Sequence, residues 1–528
     1  MKLIFRIVLV GLVSLNIAVT FQGASASAAT TISVATYGAK CDGATDDRAA
    51  IQAALNAAAA AGGGTVTLPG STCLLNSFQP DAHPWGFHNL SIPSLVTLQG
   101  ATNSQGAPTS RLLQGPGGRQ LIQNIPGAQA IGNSVIEVGN HPSYVSFQSG
   151  PFFALQAMAV ASPTVTLLTP AQAANFKAGD YVAIYEYTAG DVLPAQMAQV
   201  TAVNTTSGQL TLLDPVIRAF AKPSIANVTS NAAHDVAINN VIVQGVLPLT
   251  ITETFNFSAS NNQFLNDTSI GGNNVYENLL NTVEHFKFTG NTFAPVSGTY
   301  YLTQELTQRD SQNGVWDSNT FQVAGVGFGE YGANITMTNN HFFLHIGPTQ
   351  VGGVSFGGQN VVFKGNDVHT IGNLTSGQGW GFLVTDVYAC CGYHAYTGNI
   401  QILNNAIQCV ADGNNCLLLD TWGGAVVSGN TITATGSATG INAVIPAQIT
   451  NNTINIGSGT GILLQPWATA ATVSGNTLSG TGPFGIYVAD PPTPASGLLI
   501  QNNTMQGFAR HLYIDLSLQP GAILSNNQ

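Results

Sequence analysis

From residue 240 to the end of the chain, short runs of alternating apolar and polar residues return in one repeated setting. A β-branched or aromatic residue is followed by two or three polar residues ending in Asn, then usually a small polar residue and another apolar one. The copies end at Asn240, Asn262, Asn291, Asn319, Asn340, Asn366, Asn405, Asn430, Asn452, Asn476, Asn503 and Asn527, spaced 21 to 39 residues apart. Between them lie second short strands, often opened by Gly: residues 325–330, 380–386, 416–420, 461–465, 485–490 and 511–515. Period-two alternation without a helix-forming stretch predicts strands with one buried face. A repeat of this length predicts coils stacked along an axis. The expected fold is therefore all-β, a right-handed parallel β-helix in which equivalent positions of successive coils lie about 4.8 Å apart. An Asn at each turn can then pass amide hydrogen bonds from coil to coil and satisfy backbone groups that a bend would bury unpaired.

Upstream, the pattern changes twice. Residues 48–61 read as a helix with an apolar stripe of Ala50, Ile51, Ala54, Leu55 and Ala58, ended by Gly62 to Gly64. Asp46 and Asp47 precede it, and a carboxylate there can accept hydrogen bonds from free N–H groups. Such a helix would cap the open end of the first coil. From about residue 160 to 220 the Asn pattern gives way to strands joined by Gly-Asp and Ser-Gly turns, predicting a small β-insertion that either packs on the coils or edges a groove.

The segment Tyr37 to Leu75, YGAKCDGATDDRAAIQAALNAAAAAGGGTVTLPGSTCLL, resembles the opening of the pectate-lyase-3 superfamily, the rhamnogalacturonase and epimerase-like parallel β-helix proteins. The resemblance implies that fold, and among its members are hydrolases, lyases, epimerases and phage tailspikes. Polygalacturonase-type hydrolases of the group carry Asn-Thr-Asp, Asp-Asp, Gly-His-Gly and Arg-Ile-Lys motifs that the repeated region here lacks, so no catalytic residue is carried over from them.

Residues 1–28 have a charged start at Lys2 and Arg6, an apolar run from Ile7 to Thr20 and small residues at 24–28, the layout of an export signal. The rest, 32–528, is expected to be one β-helix domain in a secreted or periplasmic protein, with no span through a membrane. Six cysteines fit an oxidising compartment and no zinc pattern; Cys41 is expected to pair with Cys73 and Cys409 with Cys416, while the adjacent Cys390 and Cys391 stay open. Only 7% of residues are charged and the net charge is −11, which excludes nucleic acid as a main partner because phosphate binding needs a concentrated basic face.

For chemistry the strand-final acids stand out. If registers are equivalent, Asp386 and Asp420 are one coil apart at about 4.8 Å, and Glu330 and Asp386 two coils apart at about 9.6 Å. Retaining glycosidases hold their carboxyl groups about 5–5.5 Å apart and inverting ones about 6.5–9.5 Å. Nearby, the longest interval between asparagines contains Trp380, Tyr388, Tyr393 and His394, and Trp422 follows Asp420; ring faces beside acids suit sugar rings. The expectation is a polysaccharide or oligosaccharide partner and a glycoside hydrolase using Asp386, Asp420 and Glu330 as general acid and base, with no metal or other cofactor. A polysaccharide lyase or uronate epimerase is the alternative. It would draw on His394 as base and on Ca²⁺ held by Asp side chains, since the basic residues after Asn240 are only Lys287, Arg309, Lys364 and Arg510. A non-catalytic glycan-binding or surface solenoid is the third reading.

Overall fold

The computed structural model describes residues 30–80, 87–118, 133–139, 151–188, 191–267, 280–296, 308–309, 311–323, 326–328, 332–345, 353–371, 380–385, 398–410, 415–420, 423–491 and 497–528. Its strands form three long parallel sheets wound as a β-helix, and we number the sheets in the order in which a coil visits them. One later coil runs Gly398–Leu403 in sheet 1, Ala406–Val410 in sheet 2 and Asn415–Asp420 in sheet 3 before Gly423–Ser428 returns to sheet 1. Each strand pairs in parallel with its counterpart one coil on, as Ile400 does with Ala425 and Ile407 with Ile432. Alternation sets the inward face, so Ile400, Ile402, Ile407, Leu417 and Leu419 are all fully or almost fully buried. Rings that share an inward position stack at the strand spacing: Phe293 on Phe321 at 5.0 Å and Phe321 on Phe342 at 4.8 Å between centroids.

The asparagine pattern has a specific physical origin. From Asn262 to Asn503 each amide Nδ2 donates to the Oδ1 of its counterpart one coil on, at 2.8–3.2 Å, and also to a backbone carbonyl of an earlier turn. The same Oδ1 accepts the backbone N–H of the previous Asn. This ladder runs from Asn262 to Asn527. Asn240 stands outside it: it has φ 59° and accepts from Asn261 Nδ2 at 2.7 Å, while Val241 takes the ladder position by donating its N–H to Asn262 Oδ1 at 2.9 Å. The residue before each ladder Asn therefore belongs to a second column of left-handed positions, filled by Asn240, Asn261, Gly290, Ser318, Asn339, Gly365, Asn404, Gly429, Asn451, Gly475, Asn502 and Asn526. Asn and Gly tolerate positive φ best, which explains why the motif so often reads Asn-Asn or Gly-Asn.

At the N-terminal end a helix, Arg48–Ala60, buries Ile51, Ala54, Leu55 and Ala58 against the first coils. The two aspartates before it divide their work differently from a simple cap. Asp46 Oδ1 accepts from Arg48 N at 3.2 Å and from Asn76 N at 2.9 Å, whereas Asp47 turns back and accepts from the backbone N–H groups of Lys40 and Cys41 at 2.6 and 3.0 Å. Asp47 is thus a brace for the loop that carries Cys41, which is bonded to Cys73. Cys409 is bonded to Cys416, linking sheets 2 and 3 within one coil. Cys390 and Cys391, and the export-signal residues, lie outside the described residues.

Between the early and later coils, strands within residues 153–227 form a six-stranded antiparallel sheet with its own core of Leu155, Val165, Val182, Ile184, Val200, Leu210 and Ile225. Its second face packs on the β-helix through Tyr181, Tyr185 and Met197 against Phe255. Tyr181 stacks on His234 with centroids 4.9 Å apart, so the insertion is seated on sheet 1 by aromatic contact.

Candidate functional site

Of the acids that the strand ends single out, Asp420 lies in a described strand of sheet 3. Strand Asn415–Asp420 turns Leu417 and Leu419 inward, which leaves Leu418 and Asp420 on the outer face, and Asp420 is exposed. Pairing places Leu418 beside Asn442, Asn442 beside Leu463, Leu463 beside Tyr487 and Tyr487 beside Tyr513, an outward row that crosses five coils. Amides link part of it, with Asn442 Nδ2 donating to Asn415 Oδ1 and Gln465 Nε2 donating to Asn442 Oδ1, both at 3.2 Å. At its far end Tyr487 and Tyr513 stack at 5.1 Å with planes 10° apart, and Arg510 Cζ lies 5.9 Å from the Tyr513 centroid. Trp467, 64% exposed, projects from the turn that follows the same sheet. A row of rings, aliphatic side chains and amides beside an exposed carboxylate suits what a glycan presents in return: C–H faces and hydroxyl edges.

Register refines the picture of the acids. Asp420 pairs with Thr385, the last described residue of the neighbouring strand, and not with the acid that follows it in sequence. Leu419, Ala443, Leu464 and Val488 are equivalent, which puts Asp420 one residue past that column and Asp490 two. Among the described residues, Asp420 and Asp490 are therefore one residue out of step and do not share a single column. Trp380 opens the strand Trp380–Thr385, the neighbour of the Asp420 strand. Glu330, Asp386, Tyr388, Tyr393, His394 and Trp422 lie outside the described residues.

A second cluster, which sequence reasoning missed, sits where the insertion meets sheet 1. His285 Nε2 is 2.7 Å from Asp214 Oδ2 of the insertion and 3.9 Å from Glu284 Oε1. Glu284 is fully buried on sheet 1, and Asn313 Nδ2 donates to its Oε1. Burial pushes the Glu284 carboxyl up to about 8, with Asp214 adding to the rise. His285 is pulled in both directions: burial lowers its value, while the hydrogen bond to Asp214 and the charges of Glu284 and Asp214 raise it, with a net upward shift. On the previous coil Glu253, almost wholly buried, is raised by desolvation to about 7. One signal for this cluster was present in the chain. His285 occupies a left-handed step that Asp235, Asn256, Asn313, Asn334, Asn360 and Asn399 occupy on neighbouring coils, all with φ between 51° and 60°. A histidine in a column of asparagines is visible in sequence only once the column is aligned, and Asp214 comes from a segment with no repeat to align.

Comparison with known proteins gives the following. Residues 31–124 match the family model described as rhamnogalacturonase A/epimerase, pectate lyase-like, and residues 393–528 match the model of the right-handed β-helix region. A search of curated protein sequences gave no match. Among solved structures, the tailspike gp61 of Pseudomonas phage phi297 is 14% identical, with 92% of this chain and 80% of that one covered and a TM-score of 0.50. A mannuronan C-5 epimerase A-module of Azotobacter vinelandii is 15% identical, covering 94% and 98%, at a TM-score of 0.38. The gp54 tailspike of Acinetobacter baumannii bacteriophage AP22, solved with a capsular saccharide, is 10% identical, covering 92% and 77%, at 0.44. At these identities the likeness is one of fold, and the fold is the pectate-lyase-like parallel β-helix.

Proposed function

We propose that this protein is an exported carbohydrate-active enzyme that takes a polysaccharide along the outer face of sheet 3 and cleaves it as a glycoside hydrolase. The observation that carries the reading is Asp420: an exposed carboxylate on the same face as the row Leu418, Asn442, Leu463, Tyr487 and Tyr513. A chain of sugars needs repeated contacts at regular spacing, and stacked coils supply them about every 4.8 Å. In this reading Asp420 works with Asp386 and Glu330, one acid protonating the leaving oxygen and another activating water or attacking the anomeric carbon. Trp380, Trp422, Tyr388, Tyr393 and His394 would bind the flanking sugars. The family match over residues 31–124 supports a carbohydrate-acting protein without choosing the reaction. Export is supported by the two disulfides, and among the described residues no helix is long and apolar enough to cross a membrane. The test is a panel of neutral and uronate-containing polysaccharides. New reducing ends without the ultraviolet absorbance of an unsaturated uronate support hydrolysis; that absorbance indicates a lyase, and binding without product indicates a glycan-binding solenoid.

A further inference from the structure

The seam between the insertion and the β-helix holds one nitrogen and two carboxylates whose ligand-capable atoms all lie within 4.8 Å of one another: Asp214, Glu284 and His285. An ion pair between His285 and Asp214 alone would account for two of the three. It does not account for Glu284, which is fully buried beside them and whose Oε2 has no hydrogen-bond partner among the described residues. A carboxyl oxygen shut away from water and left unsatisfied is unfavourable, and proteins resolve such groups by protonating them, by pairing them or by binding a cation. Nor does an ion pair explain His285 itself. Its left-handed step is filled by Asn on the coils that follow, where Asn334 donates to Asn313 and Asn360 to Asn334 along the column. At this coil the column gives up its amide for an imidazole that reaches out to the insertion.

We propose that Asp214, Glu284 and His285 form a binding site for one divalent cation of the Zn²⁺ class, which clamps the insertion onto sheet 1. The donor set decides the class. Ca²⁺ takes oxygen ligands throughout, while an imidazole with two carboxylates suits Zn²⁺. Tetrahedral Zn²⁺ with bonds of about 2.0 Å sets its ligand atoms roughly 3.3 Å apart. His285 Nε2 lies 2.7 Å from Asp214 Oδ2 and 3.9 Å from Glu284 Oε1, the oxygen that Asn313 also reaches, so these two separations fall on either side of that value, and all three ligand atoms lie within 4.8 Å of one another. Two protein segments contribute: Glu284 and His285 from the strand Leu280–Thr289, and Asp214 from the turn after the insertion strand Gln209–Leu212. Binding therefore ties the insertion to the coil. This inference stands independently of the reaction proposed above.

The test uses full-length protein stripped with a chelator, loaded with Zn²⁺ alone, desalted, and analysed for bound metal and for thermal midpoint. Wild type should keep one Zn²⁺ per chain and gain thermal stability on loading, as a ligand of the folded state must confer. His285→Asn restores the asparagine of the column and should fold well, yet lose the bound metal and the thermal gain. Asp214→Asn should weaken uptake at least tenfold. His341→Ala with His369→Ala, which removes the two histidines flanking Asp367 on sheet 2, should leave uptake at the wild-type level. Failure of wild type to retain Zn²⁺, equal retention by His285→Asn, or loading by Ca²⁺ but not by Zn²⁺ each overturns the proposal.

Discussion

Replacing Asn340 by Ala tests whether the amide ladder carries the stability of the stack. Asn340 is fully buried, and its side chain makes four hydrogen bonds. Oδ1 accepts from Asn319 N at 2.9 Å and from Asn319 Nδ2 at 3.0 Å, while Nδ2 donates to Trp316 O at 3.0 Å and to Asn366 Oδ1 at 2.9 Å. Truncation strands the Asn319 backbone N–H and one Asn319 amide hydrogen; the Trp316 carbonyl, whose strand pairs in parallel with the next coil at Asp317 and Thr338, is not counted. Asn366 Oδ1 keeps its bond from Asn340 N, so it is not counted. At about 1–3 kcal/mol for each of the two buried polar groups left unpaired, and with some relief from water entering the gap, the variant should lose about 2–4 kcal/mol. The comparison is Asn334→Gly, at an exposed left-handed step where Asn334 donates to Asn313 at 2.8 Å and water can replace the bond. That change should stay within about 1 kcal/mol. Urea unfolding followed by far-ultraviolet circular dichroism measures both, with amide exchange at Asn319 as a local reading. A loss below about 1 kcal/mol in Asn340→Ala, or equal losses in the two variants, refutes the ladder argument.

The buried acid Glu253 makes stability depend on pH. Its folded value of about 7 lies above the ordinary 4.5, so the native state alone holds the proton between them and stability should fall as pH rises through that window. The slope contributed is at most about 1.4 kcal/mol per pH unit, and in a urea series run from pH 4 to 8 Glu253→Gln should remove this share of the slope and leave the share from Glu284, which is raised in the same direction. The disulfides should rank by loop length: Cys409→Ala with Cys416→Ala should cost about 2–3 kcal/mol, and Cys41→Ala with Cys73→Ala about 3–4 kcal/mol. Reversal of that order in chemical denaturation would show that the bridges act by something other than restricting the unfolded chain.

Much of the architecture was legible because a repeat reports the same physics many times over. Each ladder Asn has the same buried partners, and each inward strand position meets the same position one coil on, so Asn319, Asn340 and Asn366 announce themselves together. The one misplaced member, Asn240, carries the right residue at the wrong step. Only the left-handed φ of the residue before each true ladder position separates the two columns. The role of Asp47 was hidden for a related reason: its partners, the N–H groups of Lys40 and Cys41, lie upstream of the helix it precedes, and a capping rule looks downstream. The site was less legible. Strand-final acids could be found along the chain, but a shift of one residue between Asp420 and its counterpart Thr385 cannot be read from intervals. Asp214, Glu284 and His285 come together only because the insertion folds back onto sheet 1, a contact across 71 residues with no periodicity behind it.

The most direct test of the account is the turnover of Asp420→Asn, beside Asp386→Asn, on whichever polysaccharide the wild-type protein degrades. Both variants should keep the wild-type far-ultraviolet spectrum and denaturation midpoint and lose at least about a hundredfold in turnover, the order expected for removal of a general acid or base. Turnover within a few fold of wild type in Asp420→Asn, with the fold intact, would contradict the assignment of the sheet 3 face as the catalytic surface.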